Sequence, residues 1–304
     1  MPKLFTLGLL ALALPAAAQS ATSAALPADS IRYWATHLRA GLNANESLLS
    51  KNWKSGGTSS LGISLLLNGT ARYQRGHHNW NGEADFLYAG QYTQGEGGGY
   101  RKTNDRLYLD TKYGYDLTQK WGLFTALNLL SQFAPGYNYA DDGYATLISS
   151  FLAPGYLTSS FGAEFHPNER FNLRLAPVAP RVTIVRQPDR FRLPADTTIY
   201  GVKPGHSTFW QVGFQALAQL EQPLGPNADL KVRYVLFVDY ARPRLVDTSH
   251  RLDLTLTAKV NTWLNVSLGG IALYDYNQDQ GFQYSQNLAL GLVFDRTRPA
   301  NRPK

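Results

Sequence analysis

The residues able to do chemistry in this chain are few, and their spacing suits it poorly. The histidines are His37, His77, His78, His166, His206 and His250. His77 and His78 are adjacent, and adjacent side chains of an extended chain point to opposite faces, so the pair is a poor metal chelate. The other four border turns or strand ends, with no Cys, Asp or Glu at a familiar ligand spacing. A hydrolase would need a serine activated by a histidine, and a polar group to orient that histidine. Ser249 directly precedes His250, so their side chains diverge, and no G-x-S-x-G elbow occurs. A triad assembled across strands is the route left open to an enzyme. Gly95-Glu96-Gly97-Gly98-Gly99 has the glycine content of a phosphate loop, but no helix follows to supply an anion-binding N-terminus. Asp141-Asp142-Gly143 lacks the spaced acidic ligands of a calcium loop. These residues predict no catalytic centre, no metal and no cofactor.

Charged side chains spaced by even numbers are a different matter. Glu83, Asp85, Arg106, Asp110, Lys112, Glu164, Arg174, Lys231, Arg233, Asp239, Arg251, Asp253 and Lys259 fall on the polar faces of segments whose other face is apolar. In a lumen such mixed charges pair with one another and solvate or plug it; alternatively they line a narrow, weakly selective pore.

The elements that must hold these charges are strands. A hydrophobic period of two marks an extended chain with one apolar face. Leu230, Val232, Tyr234, Leu236, Val238 and Tyr240 alternate with Lys231, Arg233 and Asp239. Leu252, Leu254, Leu256 and Ala258 alternate with Arg251, Asp253, Thr255, Thr257 and Lys259. About twelve such segments are predicted: Thr36–Asn45, Ser60–Gln74, Asn79–Tyr92, Arg101–Asp116, Lys120–Phe133, Ile148–Phe165 (kinked near Pro154), Arg170–Arg186 (irregular around Pro177 and Pro180), Ser207–Glu221, Asp229–Tyr240, His250–Val260, Leu264–Asp275 and Gln283–Phe294. The gaps between them alternate short and long. The long ones, such as Ala134–Leu147 and Gln187–His206, are rich in Gly, Pro and Tyr. That asymmetry predicts an all-β, antiparallel, up-and-down transmembrane barrel with tight periplasmic turns and larger outer loops. Trp80, Trp121 and Trp263 stand at or near the start of odd-numbered strands, on one rim, as a candidate aromatic girdle. The basic residues Arg181, Arg186, Arg190, Arg192 and Lys203 are expected to project outward, either as a plain solvated loop or in contact with lipid A phosphates.

Composition agrees with export. Lys3, the apolar run Leu4–Leu14 and Ala16-Ala17-Ala18 make residues 1–18 a predicted signal peptide, followed by a leader over 19–35, a barrel over 36–295 and a tail over 296–304. The chain of 304 residues has no Cys, so neither disulfides nor a lipidated Cys can hold it. Aromatic residues make up 12% and mean hydropathy is −0.28, too polar for a helical membrane protein but normal for a barrel with a wet lumen. Net charge is +7. The expected surroundings are outer-membrane lipid and lipopolysaccharide, with the barrel-insertion machinery as assembly partner, a monomeric state and no nucleic acid.

A set of short landmarks adds a resemblance. They are Trp53-Lys54-Ser55-Gly56-Gly57, Asn104-Asp105-Arg106-Leu107-Tyr108-Leu109, Gln132-Phe133-Ala134-Pro135-Gly136-Tyr137, Phe151-Leu152-Ala153-Pro154, Ala176-Pro177-Val178, Tyr200-Gly201-Val202 and Tyr274-Asp275-Tyr276. In order and spacing, over roughly Trp53 to Phe294, the chain resembles a Bacteroidota family of exported barrels known only as a domain of unknown function. The resemblance implies a single outer-membrane domain and brings no activity, cofactor or site residue with it. The expected role is therefore a structural or transport-related barrel, or a narrow channel. The alternatives are a lipid-modifying outer-membrane enzyme and a soluble periplasmic ligand-binding barrel, the latter with charges facing outward.

Overall fold

A computed structural model of the chain describes residues 32–47, 59–94, 99–139, 145–191 and 197–301. Its strands are β1 (Trp34–Ser47), β2 (Ser60–Arg75), β3 (His78–Thr93), β4 (Gly99–Asp116), β5 (Trp121–Ser131), β6 (Gly136–Tyr139), β7 (Ala145–Ser149), β8 (Gly155–Asn168), β9 (Phe171–Ile184), β10 (Thr208–Pro223), β11 (Ala228–Asp239), β12 (Ser249–Lys259), β13 (Leu264–Asp275) and β14 (Asp279–Arg298). Twelve of them close into one antiparallel barrel in the order β1-β14-β13-β12-β11-β10-β9-β8-β5-β4-β3-β2. β1 and β14 complete the ring, with Thr36 opposite Arg298 and Asn43 opposite Gly291. Closure leaves the twelve-stranded sheet without an edge, which a set of half-apolar strands must otherwise cover.

Turn chemistry explains the tight end of the barrel. Asn168 Oδ1 accepts the backbone N–H of Arg170 and Phe171, and Asn261 Oδ1 accepts those of Trp263 and Leu264. Thr118 Oγ1 does the same for Lys120 and Trp121. Each side chain thus supplies, from within its own loop, the acceptor that a two- to four-residue reversal leaves missing. Between β2 and β3 the turn needs a left-handed residue, and Gly76 takes φ 56° there.

The opposite end is built from longer connections that fold on themselves. β6 and β7 pair only with each other, as a hairpin outside the barrel. Ala153, Val185, Phe191 and Val202 form a small apolar core in these loops, with Leu147, Ile199, Tyr200 and Phe209 packed on it. Tyr200 donates its hydroxyl to the carbonyl of Ile148, and burial pushes its phenol up to about 12.

Three details depart from the strand boundaries expected above. Ile148–Phe165 is not one kinked strand: the hairpin strand β7 ends at Ser149, and the barrel strand β8 starts at Gly155. Leu152 at φ 52° turns the chain between them. β14 extends beyond Gln283–Phe294 at both ends and includes residues 296–298 of the expected tail. β1 starts at Trp34, inside the expected leader. The signal peptide, the Trp53–Gly57 landmark, Asp141–Gly143, Arg192 and most of the Gly95–Gly99 run lie outside the described residues.

Candidate functional site

Which face of the wall points inward follows from ion pairs that cross the ring. β3 and β11 are six places apart in either direction around the twelve strands, and so are β4 and β12. Arg233 of β11 nevertheless donates to Glu83 of β3, and Arg106 of β4 reaches Asp253 of β12 at 3.3 Å. Contacts between opposite walls can only pass through the interior. These four side chains fix the parity of their strands, and ladder pairing extends it to the neighbours, since directly opposed residues share a face.

Around those crossings the charges form three neighbouring ion-paired clusters. Arg106 also donates to Asp85 at 2.7 Å, and Arg251 holds both oxygens of Asp253 at 2.8 Å. Nearer the tight end, Lys112 pairs with Glu164, whose other oxygen accepts from Asn172. Arg174 bridges Asp110 at 3.1 Å and Glu164 at 3.6 Å. Arg233 also lies 4.3 Å from the centroid of the Tyr108 ring. Glu164 is 1% exposed, so water alone does not neutralise it; its two cationic neighbours do. Of the thirteen candidate residues, ten take part in these clusters: Asp85, Arg106, Arg251 and Asp253 in one, Glu83 and Arg233 in a second, and Asp110, Lys112, Glu164 and Arg174 in a third. The other three sit apart. Lys231 pairs with Glu221 at 3.3 Å near the tight end, Lys259 is exposed at the same end, and Asp239 is bound by Gln211 and the Ala241 N–H near the looped end.

The interior is not filled. A cavity of about 260 Å³ lies beside these clusters, walled by Phe124, Ala126, Leu217 and Val235 and by Tyr156, Thr158, Ser160, Arg181 and Gln215. A smaller one of about 100 Å³ lies against β1, β2, β13 and β14. Arg106 and Asp253 line both, so their bridge stands between the two.

Arg181 corrects an expectation. It does not project outward with Arg186, Arg190 and Lys203; it is 8% exposed and lies inside, with its guanidinium 3.6 Å from the Phe237 ring centroid. Inward positions on β9 are even-numbered at Arg174 and Ala176 but odd-numbered at Ala179, Arg181 and Thr183. An irregularity at Pro177–Val178, matched by register shifts on β8 and β10, inserts one residue and reverses the parity beyond it. Strict alternation cannot see that reversal. Tyr108 was missed for a lesser reason: it shares the parity of Arg106 and Asp110 and could have been read from it.

The outer face is apolar. Leu288, Leu292, Leu65, Leu123, Val212 and Phe161 are 72, 60, 56, 52, 52 and 47% exposed. Trp80, Trp121 and Trp263 all sit at the tight end, Trp263 in the turn before β13. Trp34 joins them, edge-on to Trp80 at 5.3 Å, and Trp121 packs on Phe165 at 4.8 Å. Trp210, 70% exposed, lies towards the looped end. No hydrolytic pairing forms at Ser249: its hydroxyl donates to Asp275, while His250 contacts Tyr234 and Thr248.

Fold and interior together define a closed twelve-stranded antiparallel barrel, apolar outside and ion-paired within. Residues 44–137 match the model of a family described as "Protein of unknown function (DUF3078)". No curated protein matches the chain. Among solved structures, it is similar to the COG4313 outer membrane channel from Pseudomonas putida F1, with 11% identity, 90% of this chain and 99% of that one covered, and a TM-score of 0.37. It is also similar to the NanC porin (8% identity, 84% and 98% covered, TM-score 0.38). A third is the translocator domain of the autotransporter NalP from Neisseria meningitidis (10% identity, 88% and 90% covered, TM-score 0.24).

Proposed function

We propose that this chain is an outer-membrane barrel that acts as a narrow conduit for small solutes, without catalytic activity. One observation carries the reading: ion pairs meet across the interior, while large apolar side chains cover the outside. A soluble protein rarely exposes a contiguous apolar patch beyond roughly 300–600 Å², whereas hydrocarbon requires one. The tryptophans of the tight end, Trp80, Trp121 and Trp263, then lie at the periplasmic interface as a girdle. In this reading residues 1–18 are a cleaved signal peptide, the insertion machinery assembles the barrel as a monomer, and lipopolysaccharide surrounds its outer half. The chain engages no nucleic acid, and its origin is a member of the Bacteroidota.

The solute path runs from the looped end through the larger cavity and past the Arg106–Asp253 bridge. Planar-bilayer recording of the purified protein tests the reading directly. Small, discrete conductance steps are expected, and silence at every voltage in correctly folded protein refutes the conduit while leaving the barrel in place.

A further inference from the structure

Arg181 differs from the arginines of the ion-paired clusters. Arg106, Arg174, Arg233 and Arg251 each have a carboxylate within 3.3 Å. Arg181 has none within ion-pair distance among the described residues; its Nε donates to Thr158 Oγ1 at 3.3 Å, and its ring contact with Phe237 satisfies no hydrogen. Burying a guanidinium without a directly paired anion is costly, which favours a compensating anionic ligand at this position. Asp239 of β11 and Asp275 of β13 attract it only at longer range, their oxygens accepting from Gln211 and the Ala241 N–H and from Ser249 and the Asn277 N–H.

The surroundings of Arg181 are constructed rather than incidental. Its inward aim depends on the β9 bulge, which β8 accommodates with Gly162, while Gly213 of β10 lets the β11 backbone approach closely. A Cβ on Gly162 would lie 1.9 Å from the carbonyl oxygen of Leu175, and one on Gly213 would lie 2.2 Å from that of Val238. Bulges of this kind re-aim a side chain. Donors gather beside it. Thr158 accepts from Arg181 and keeps its own proton to give; Gln215 accepts from Ser160 at 2.7 Å through its oxygen, which leaves its amide N–H groups to donate. Arg181, Thr158, Ser160 and Gln215 all line the larger cavity, and Leu217 with its ladder partner Val235 continues the same wall as an apolar stretch.

We propose that this patch of β8, β9 and β10 is a binding site for a small organic monoanion, with Arg181 and the Thr158 and Gln215 donors on the carboxylate and the aliphatic wall on its carbon chain. The cavity, at about 260 Å³, is below the roughly 300–1,000 Å³ typical of drug-sized ligands, which limits the occupant to a small molecule. The proposal adds a ligand class to the conduit reading, but its test does not pass through conduction.

Equilibrium binding of butyrate to the full chain in detergent, followed by calorimetry, provides the test, with butan-1-ol and butylammonium as probes of equal length. Saturable binding of butyrate, weaker binding of the alcohol and none of the amine are expected. Arg181→Gln should weaken butyrate binding about tenfold or more, as loss of a charge-assisted pair does. Thr158→Val should weaken it less. Arg181→Lys, which keeps the charge, retains part of the affinity and serves if the glutamine variant does not fold. Butyrate binding that is absent, matched by the alcohol, or unchanged in folded Arg181→Gln overturns the proposal. Loss of binding in a protein that still conducts, or binding in one that never does, separates this site from the conduit.

Discussion

The carboxylate of Asp105 accepts the backbone N–H of Ala134 at 2.7 Å, and so holds the start of the external hairpin against β4. The same carboxylate takes the Phe133 N–H, while Lys102 reaches Asp105, Gln132 and the Ala134 carbonyl. Nearby, Ser131 Oγ accepts from Leu152 N–H and donates to the Pro154 carbonyl. Three of the sequence landmarks, at Asn104–Leu109, Gln132–Tyr137 and Phe151–Pro154, therefore meet in one latch. Their common task is to seat a loop, not to perform a reaction.

Removing the latch should loosen the hairpin before the barrel. Asp105→Ala strands the charge of Lys102 and two amide donors, a loss of about 2–4 kcal/mol locally. Limited proteolysis should then cut faster between 133 and 150, with the strand circular dichroism unchanged. Equal cleavage rates in the two proteins refute the latch.

The bridge across the bore is expected to obstruct it. In Asp253→Asn, Arg106 and Arg251 lose their shared anion, which should cost about 1–3 kcal/mol in a partly wet interior. Conductance per molecule should rise or become noisier than in the parent, as single-channel traces would show. A variant with identical traces removes the bridge from the path.

Glycine at the bulge should be irreplaceable. Gly162→Ala places a methyl group on the Leu175 carbonyl, and relief requires the backbone of β8 or β9 to shift, at a loss of about 1–3 kcal/mol. Denaturant unfolding of vesicle-reconstituted protein reads that loss. Parent-like stability would mean the bulge is soft.

Lipid contact at the tight end can be read optically. Variants retaining only Trp121 or Trp263 should be quenched by lipids brominated near the headgroup and much less by lipids brominated at the chain end. Quenching strongest at the chain end, or absent, is incompatible with a girdle.

Alkaline pH should act on the loops through Tyr200. Its phenol ionises at about 12 in the fold against ~10 in an unfolded chain. The neutral form is therefore favoured by folding; the contribution is complete below pH ~10 and disappears as pH rises towards about 12. Tyr200→Phe should flatten the decline of loop stability over that window, measured by hydrogen exchange or proteolysis.

How much of this could be read from the sequence depends on where the alternation is unbroken. On β11 and β12 charge and aliphatic residues take strict turns, so Arg233 and Asp253 could be assigned a shared face without any structure. The two-residue period fails wherever one residue is inserted, which is why Arg181 was expected outside. It also cannot say when a strand leaves the wall: Ile148 and Ser149 look like the start of β8 but belong to a separate hairpin. Nor does parity name partners. That Arg106 would meet Asp253, 147 positions away, depends on ring closure and strand count together.

An obstruction made of opposite charges behaves unlike a plug made of packed side chains. A packed plug is either in place or expelled. Here the closure is a bond that dissolved ions compete for, with a screening length near 8 Å at physiological ionic strength and near 3 Å at molar salt. The salt of the surrounding solution therefore adjusts how firmly the two walls hold each other.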